Sequence, residues 1–165
     1  MGGGRGDPVG ALATDAGVNV APRDPEYAER VRASFARQRF METLGATLEH
    51  VAPGEVRIAF TRRDALVQQH GYLHAGVLAS VVDSACGYAA LSLMEPGAEV
   101  VSVEFKINML SPATADRFVA VGRVIRAGRT VTVCAGEALA LGDGEPKTVA
   151  VMQATMMAVR ASGEA

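Results

Sequence analysis

Residues 68–94 read QQHGYLHAGVLASVVDSACGYAALSLM. The stretch opens as a loop holding Gly71, His70 and His74, then continues as an almost wholly apolar run over 75–94. A helix that is apolar on every side is a buried helix. One charge, Asp83, stands in the middle of it. A carboxylate in a core needs a partner or a task, because burying a charge without compensation is costly. At about 20 residues the run approaches the length of a membrane span. Against that reading stand the central acid, the many Gly, Ala and Ser residues, and the absence of flanking Lys or Arg clusters. The remaining bland reading is a core helix whose Asp83 is satisfied by a backbone amide or a water.

The rest of the chain reads as wrapping for this helix. Its 165 residues correspond to one domain. Hydrophobic residues make up 49% of it, enough to build a core. A net charge of −2 implies no polyanion-binding surface, and 5% aromatics with no Trp argue against base-stacking platforms. Nucleic acid and membrane are therefore not expected partners. Cys86 and Cys134 lie inside apolar runs and read as reduced core thiols, and hence as a cytoplasmic protein. The two Cys and three His show no zinc spacing, and neither a metal nor another cofactor is expected. The N-terminus shows no apolar signal segment. Residues 1–22 are rich in Gly, Ala, Asp and Pro and read as a tail, within which Arg5-Gly6-Asp7 is a chance tripeptide. The domain is expected over 23–160.

Asp24-Pro25-Glu26 is a helix start, with Asp as N-cap and Pro at the first helical position. One amphipathic helix is expected from there, ending before Gly45, with Tyr27, Val31, Phe35 and Phe40 among charged neighbours. Segments 46–51 and 55–60 alternate around Ala52-Pro53-Gly54 and predict a hairpin with Val56, Ile58 and Phe60 on one face. Glu95-Pro96-Gly97 stops the buried helix. Beyond it Val101, Val103, Phe105 and Ile107 alternate with Ser102, Glu104, Lys106 and Asn108, which predicts a strand with one apolar and one polar face. Segments 117–126, 129–139 and 147–160, joined by short Gly-containing turns, predict an antiparallel meander. The expected class is α+β, a curved antiparallel sheet wrapped round one long buried helix.

Several strings resemble the hotdog-fold acyl-CoA thioesterases of the phenylacetic-acid-degradation type. They are Gln68-x-x-Gly71-x-Leu73-His74-Ala75-Gly76-x-Leu78-Ala79-x-x-x-Asp83, then Ser102-Val103-Glu104-Phe105-Lys106-Ile107-Asn108-x-Leu110-x-Pro112, then Gly122-Arg123-Val124 with Gly128-Arg129. The resemblance covers about 31–159. It implies the hotdog fold and hydrolysis of an aryl- or acyl-CoA thioester to free acid and CoA. It implies that Asp83 attacks the thioester or activates water, and that the Ala75 N–H is the oxyanion donor. Gln68 matches a residue that positions water or thioester, and Ser102 a polar partner on the following strand. The family commonly has His-Gly-Gly where this chain has His74-Ala75-Gly76.

The chemistry agrees with these roles. Thioester hydrolysis needs a nucleophile or base and donors for the developing oxyanion. A helix N-terminus offers oriented N–H groups and partial positive charge. His74, directly before the helix, reads as an orienting residue rather than a base. His70 is a loop residue and His50 a surface one. Gly76, Ala79, Ser80, Cys86, Gly87 and Ala90 form a small-residue face around Asp83, where another backbone or an acyl chain can come close. Lys106, Asn108 and Arg129 are candidates for holding CoA phosphates or pantetheine, the alternative being a solvated strand face. Met152, Met156 and Met157 read as core filler.

Ala75 and Asp83 are eight residues apart, roughly 12 Å along one helix. One carbonyl cannot easily meet both in one chain, whereas a second antiparallel copy of the helix would bring them together. A homodimer or homotetramer with sites shared between subunits is therefore expected, with the strand over 99–110 as mediator. Two rivals remain: a non-hydrolytic acyl-thioester binder, and a hotdog hydratase or dehydratase built on an Asp/His pair.

Overall fold

Helix α3, Ala75–Leu91, runs through the centre of the computed structural model, which describes residues 21–160. Twelve of its 17 residues are buried, from Val77 to Leu91. Its C-terminal carbonyls are capped by an arginine from outside. Arg30 donates to the carbonyl oxygens of Leu91 and Met94 at 2.9 Å and of Glu95 at 2.6 Å. These groups would otherwise end the helix unsatisfied.

Six strands wrap round it: β1 Thr47–Ala52, β2 Glu55–Thr61, β3 Ala98–Met109, β4 Arg117–Ala127, β5 Val131–Leu141 and β6 Lys147–Arg160. All pairings are antiparallel, in the spatial order β1-β2-β4-β5-β6-β3. The hairpin and the meander are as read from the alternation, and Val56, Ile58 and Phe60 all face the helix. β3 crosses from the helix to the far edge, beside β6, which leaves its other side without a neighbouring strand.

The helix lies close on the sheet because two glycines make a seat. Gly122 of β4 and Gly136 of β5 are register partners. A Cβ on Gly122 would come within 2.3 Å of the Ala85 carbonyl carbon, and one on Gly136 within 2.4 Å of Val82 Cγ1. Cys86 and Cys134 are free and fully buried beside this seat, where burial pushes the Cys134 thiol up to about 12 and raises that of Cys86 as well. Met152 and Met156 are core residues.

Three expectations need correction. The N-terminal helix is two helices, α1 Tyr27–Ala36 and α2 Arg39–Leu44, and α1 starts after Glu26 rather than at Pro25. Asp24 instead organises the preceding turn, accepting from Glu26 N–H at 2.9 Å and pairing with Arg30 at 3.3 Å. The break falls at Gln38 (φ −83°, ψ 88°), whose side chain reaches α3. It turns Met41 and Leu44 inward and leaves Phe40 53% exposed.

The alternation of β3 is also not continuous. A bulge between Ser102 and Glu104 inserts Val103 as an extra residue. Ala98, Val100 and Ser102 face the helix before it; Phe105, Ile107 and Met109 face the same way after it, opposite Ala154, Met152 and Ala150. Val101 lies on the outer face, 42% exposed. The tail over 1–22 lies outside the described residues apart from positions 21 and 22, as does Arg5-Gly6-Asp7. Among the described residues no helix is long and apolar enough to cross a membrane.

Candidate active site

The loop before α3 is a tight turn. Gln68 N–H donates to Tyr72 O at 2.8 Å, Gly71 N–H donates to Gln68 O at 2.9 Å, and the Gln68 amide oxygen accepts from His70 N–H. Gly71 takes φ 82°, a value that glycine adopts without strain. Buried Leu66 and Leu73 pin the loop to the core, and His74 N–H donates to Leu66 O at 2.8 Å.

His74 is the N-cap of α3. Its Nδ1 accepts from Gly76 N–H at 2.9 Å and its carbonyl accepts from Val77 N–H at 3.0 Å. These bonds occupy two of the orphan donors of the first turn. The Ala75 N–H has no acceptor among the described residues. Ala75 is not in the positive-φ region, so the side chain in place of a family glycine is carried without strain. Gln68 and Ala75 line one groove of about 400 Å³, together with Tyr72, Leu78, Met109 and Leu110.

Asp83 opens into a different cleft, of about 140 Å³. Its Oδ1 accepts from Ser102 Oγ at 2.8 Å, and Ser102 also touches Met156 Sδ at 3.5 Å. Burial raises the Asp83 carboxyl above the ordinary aspartate value, and the Ser102 hydrogen bond offsets part of that rise. Ser84, Tyr88 and Gln38 share the cleft. The structure therefore joins Gln68 to Ala75 and Ser102 to Asp83, and keeps the two pairs apart along one helix.

The other candidates are elsewhere. Lys106 donates to Asn108 Oδ1 at 2.7 Å on the outer face of β3. Arg129 is exposed in the β4–β5 turn, where Thr130 O accepts from Ala158 N–H of β6. The sequence reading missed Gln38, Ser84 and Tyr88. A signal was present: Ser84 and Tyr88 are polar positions beside the one acid of an apolar helix.

The sequence pattern of the thioesterase superfamily matches residues 70–147. Human acyl-coenzyme A thioesterase 13 is 32% identical over 105 residues, which cover 62% of this chain and 74% of that protein. The chain belongs to the thioesterase superfamily. It is a thioester hydrolase of hotdog fold. A thioesterase family protein from Silicibacter pomeroyi is 51% identical, with a TM-score of 0.80 over 82% of this chain and 99% of that one. The PaaI protein of the E. coli phenylacetic acid degradation operon shares the fold at 22% identity, with a TM-score of 0.74 over 81% of this chain and 94% of its own.

Proposed function

We propose that this protein is an acyl-CoA thioesterase whose site is assembled by two subunits. Asp83 of one subunit faces the Ala75 N–H of its two-fold partner across the thioester. The observation that carries the reading is the separation of donor and acid into different clefts of one chain. The hydrolysis follows from their chemistry. Asp83 as carboxylate takes a proton from water, or attacks the carbonyl carbon itself; either route requires the ionised form. Charge develops on the carbonyl oxygen, where the free N–H at the helix start and the helix dipole stabilise it. Collapse breaks the C–S bond and expels the CoA thiolate, which takes up a proton; the water route gives the free acid directly, whereas direct attack leaves an Asp83 acyl anhydride that water then hydrolyses to the acid. Ser102 holds Asp83 in place, and Gln68, in the Ala75 groove, positions thioester or water.

The edge position of β3 supports the assembly. It is 12 residues long with no strand on its outer side, and Val101, Val103, Phe105, Met109 and Leu110 are exposed along and just past it. An open edge of this length invites pairing with a second copy. Lys106 and Asn108, on the outer face of β3, and Arg129, in the β4–β5 turn, are candidates for meeting the pantetheine or phosphates of a CoA arm. A thiol-release assay across aromatic, medium-chain and long-chain acyl-CoAs tests the function. Free CoA from at least one class, abolished in Asp83→Asn, is the expected outcome. Absence of thiol release from the whole panel by folded protein overturns it.

A further inference from the structure

We infer that residues 1–20 dock across the outer face of the sheet, where Ala59, Val119, Val121 and Leu139 form a second apolar cluster. This surface lies on the side of the sheet away from α3, and the inference stands apart from the thioester chemistry.

Register defines the outer face. Val56, Ile58 and Phe60 of β2 face α3, so Arg57 and Ala59 between them face away. Ala59 pairs with Val119 and Val119 with Leu139, while Arg57 pairs with Val121. The four apolar side chains form a cluster separate from the core. In the isolated chain Val119 and Val121 are 0% exposed, Leu139 1% and Ala59 3%. An uncovered face of an antiparallel sheet leaves its outward side chains in water. No described element supplies the cover. α3 occupies the other face, and α1, α2 and the loop before α3 join its core through Val31, Met41, Leu44 and Leu73. Flanking side chains do not supply it either, since Arg57, the long one beside Val121, is itself only 8% exposed.

Reach decides which part of the chain provides it. Outside 21–160 the chain has residues 1–20 and 161–165. Arg160 ends β6, nine residues past Val151, which joins Val121 through Glu137. Nine residues of strand are roughly 30 Å, whereas five residues span at most about 18 Å. The C-terminal segment falls short. Twenty residues span up to about 70 Å, and they join the described chain at the right end of the sheet. Arg23 pairs with Glu95 at 3.4 Å, just past α3. There Ser92 Oγ accepts from Gly54 N–H at 2.8 Å, and Gly54 O accepts from Val124 N–H at 2.8 Å. From Glu55, next to Gly54, Ala59 is four residues along β2, about 13 Å.

Composition and charge fit the surface. The segment offers Val9, Leu12, Val18 and Val20 to an apolar patch, and Asp7 and Asp15 to its border. That border holds two arginines. Arg57 pairs with Glu55 at 2.8 Å and has a further interaction beyond that pair. Arg123 is held by Glu55 at 3.0 Å and Glu137 at 2.6 Å. Asp15, between Leu12 and Val18, is the counter-charge that reaches Arg57 when those two side chains cover the patch.

The test reads the protection of a thiol at the centre of the patch. Val121→Cys is made in the full chain and modified with a small maleimide under native conditions. Cys86 and Cys134, both 0% exposed, give the slow background, measured in the parent chain. Adding Leu12→Asp and Val18→Asp should speed modification at position 121 by about tenfold or more, the order expected where apolar burial modestly outweighs the ordering entropy of a segment. Val119→Cys gives the same reading if Val121→Cys does not fold. Val101→Cys, at a position 42% exposed, should react at the same rate with either N-terminal sequence. Protection at position 121 should not change with protein concentration. Equal rates at position 121 with and without the two aspartates overturn the inference. Protection that survives the aspartates and weakens on dilution also overturns it, and assigns the cover to a second copy of the chain.

Discussion

Ser102 Oγ donates to Asp83 Oδ1 at 2.8 Å across the gap between β3 and α3, and the bulge at Val103 lets it do so. Without the extra residue, a strand that points Phe105 and Ile107 at the core would point Ser102 away from the helix. The bulge therefore couples core packing to the position of the acid. Replacing Ser102 by Ala removes the contact that favours the ionised carboxylate. The Asp83 carboxyl then rises further, so the acid limb of the pH–kcat/KM profile should move to higher pH. At the alkaline plateau the loss should be smaller than for Asp83→Asn. An acid limb that stays in place or moves lower would show that Ser102 does not act on Asp83.

Asp83→Asn keeps the side-chain shape and removes the charge. Turnover should fall by at least ~10²-fold, the lower end for a general base. Stability should change in the opposite sense. A carboxyl whose folded value is raised binds its proton more tightly folded than unfolded, so its ionisation lowers stability as pH rises past the unfolded value. The Asn variant should therefore melt higher than wild type at neutral pH, with the difference closing in acid. Thermal melts at several pH values check the sign.

Gln68→Ala tests the division of labour in the other groove. Gln68 braces the turn through His70 N–H and lines the wall beside Ala75. A residue that only positions thioester or water should cost less rate than Asp83→Asn. An equal loss in correctly folded protein would place it among the groups doing the chemistry.

The paired glycines predict a stability order. In Gly122→Ala the new methyl meets backbone atoms of Ala85 and Cys86 at 2.3–2.4 Å. In Gly136→Ala it meets Val82 Cγ1 at 2.4 Å and Cys86 Sγ at 2.8 Å, both side chains. Overpacking of a tight core costs about 1–3 kcal/mol, and more where backbone must move. Both variants should unfold earlier in denaturant, Gly122→Ala by the larger margin; the reverse order would contradict the helix seat.

What was legible in the sequence follows from locality. The buried helix, the hairpin and the meander each carry a hydrophobic period within a dozen residues, and each stands where the period put it. The Gln68–Ala75 and Asp83–Ser102 elements were visible as motifs. The break at Gln38 was not, because the side-chain contacts made there, with Ser84 and Tyr88 46 and 50 residues away, leave no mark in the local helical pattern. The bulge was not either, since Val101, Val103, Phe105 and Ile107 alternate without a flaw in the sequence. Strand order, which separates Arg129 from Lys106 and Asn108, depends on pairings between distant segments that no local pattern encodes.

The shared-site arrangement can be tested with two inactive chains. Ala75→Pro removes the N–H proposed to hold the oxyanion, and the local backbone can take it. Position 75 is the first residue of the helix, where proline fits, and its N–H bonds to nothing else in the described chain. His74 sits at φ −65°, ψ 134°, the extended region that a residue before proline prefers. Each homodimer, Ala75→Pro or Asp83→Asn, should be nearly inactive. In a mixed dimer with donor and acid from opposite subunits, one site carries both defects and the other carries neither. Co-refolded mixtures should thus recover about half the wild-type activity per mixed dimer. Separately tagged chains allow the mixed species to be isolated and its activity counted directly. Mixed dimers that fold and stay inactive, or an isolated monomer with full activity, would place the complete site within one chain.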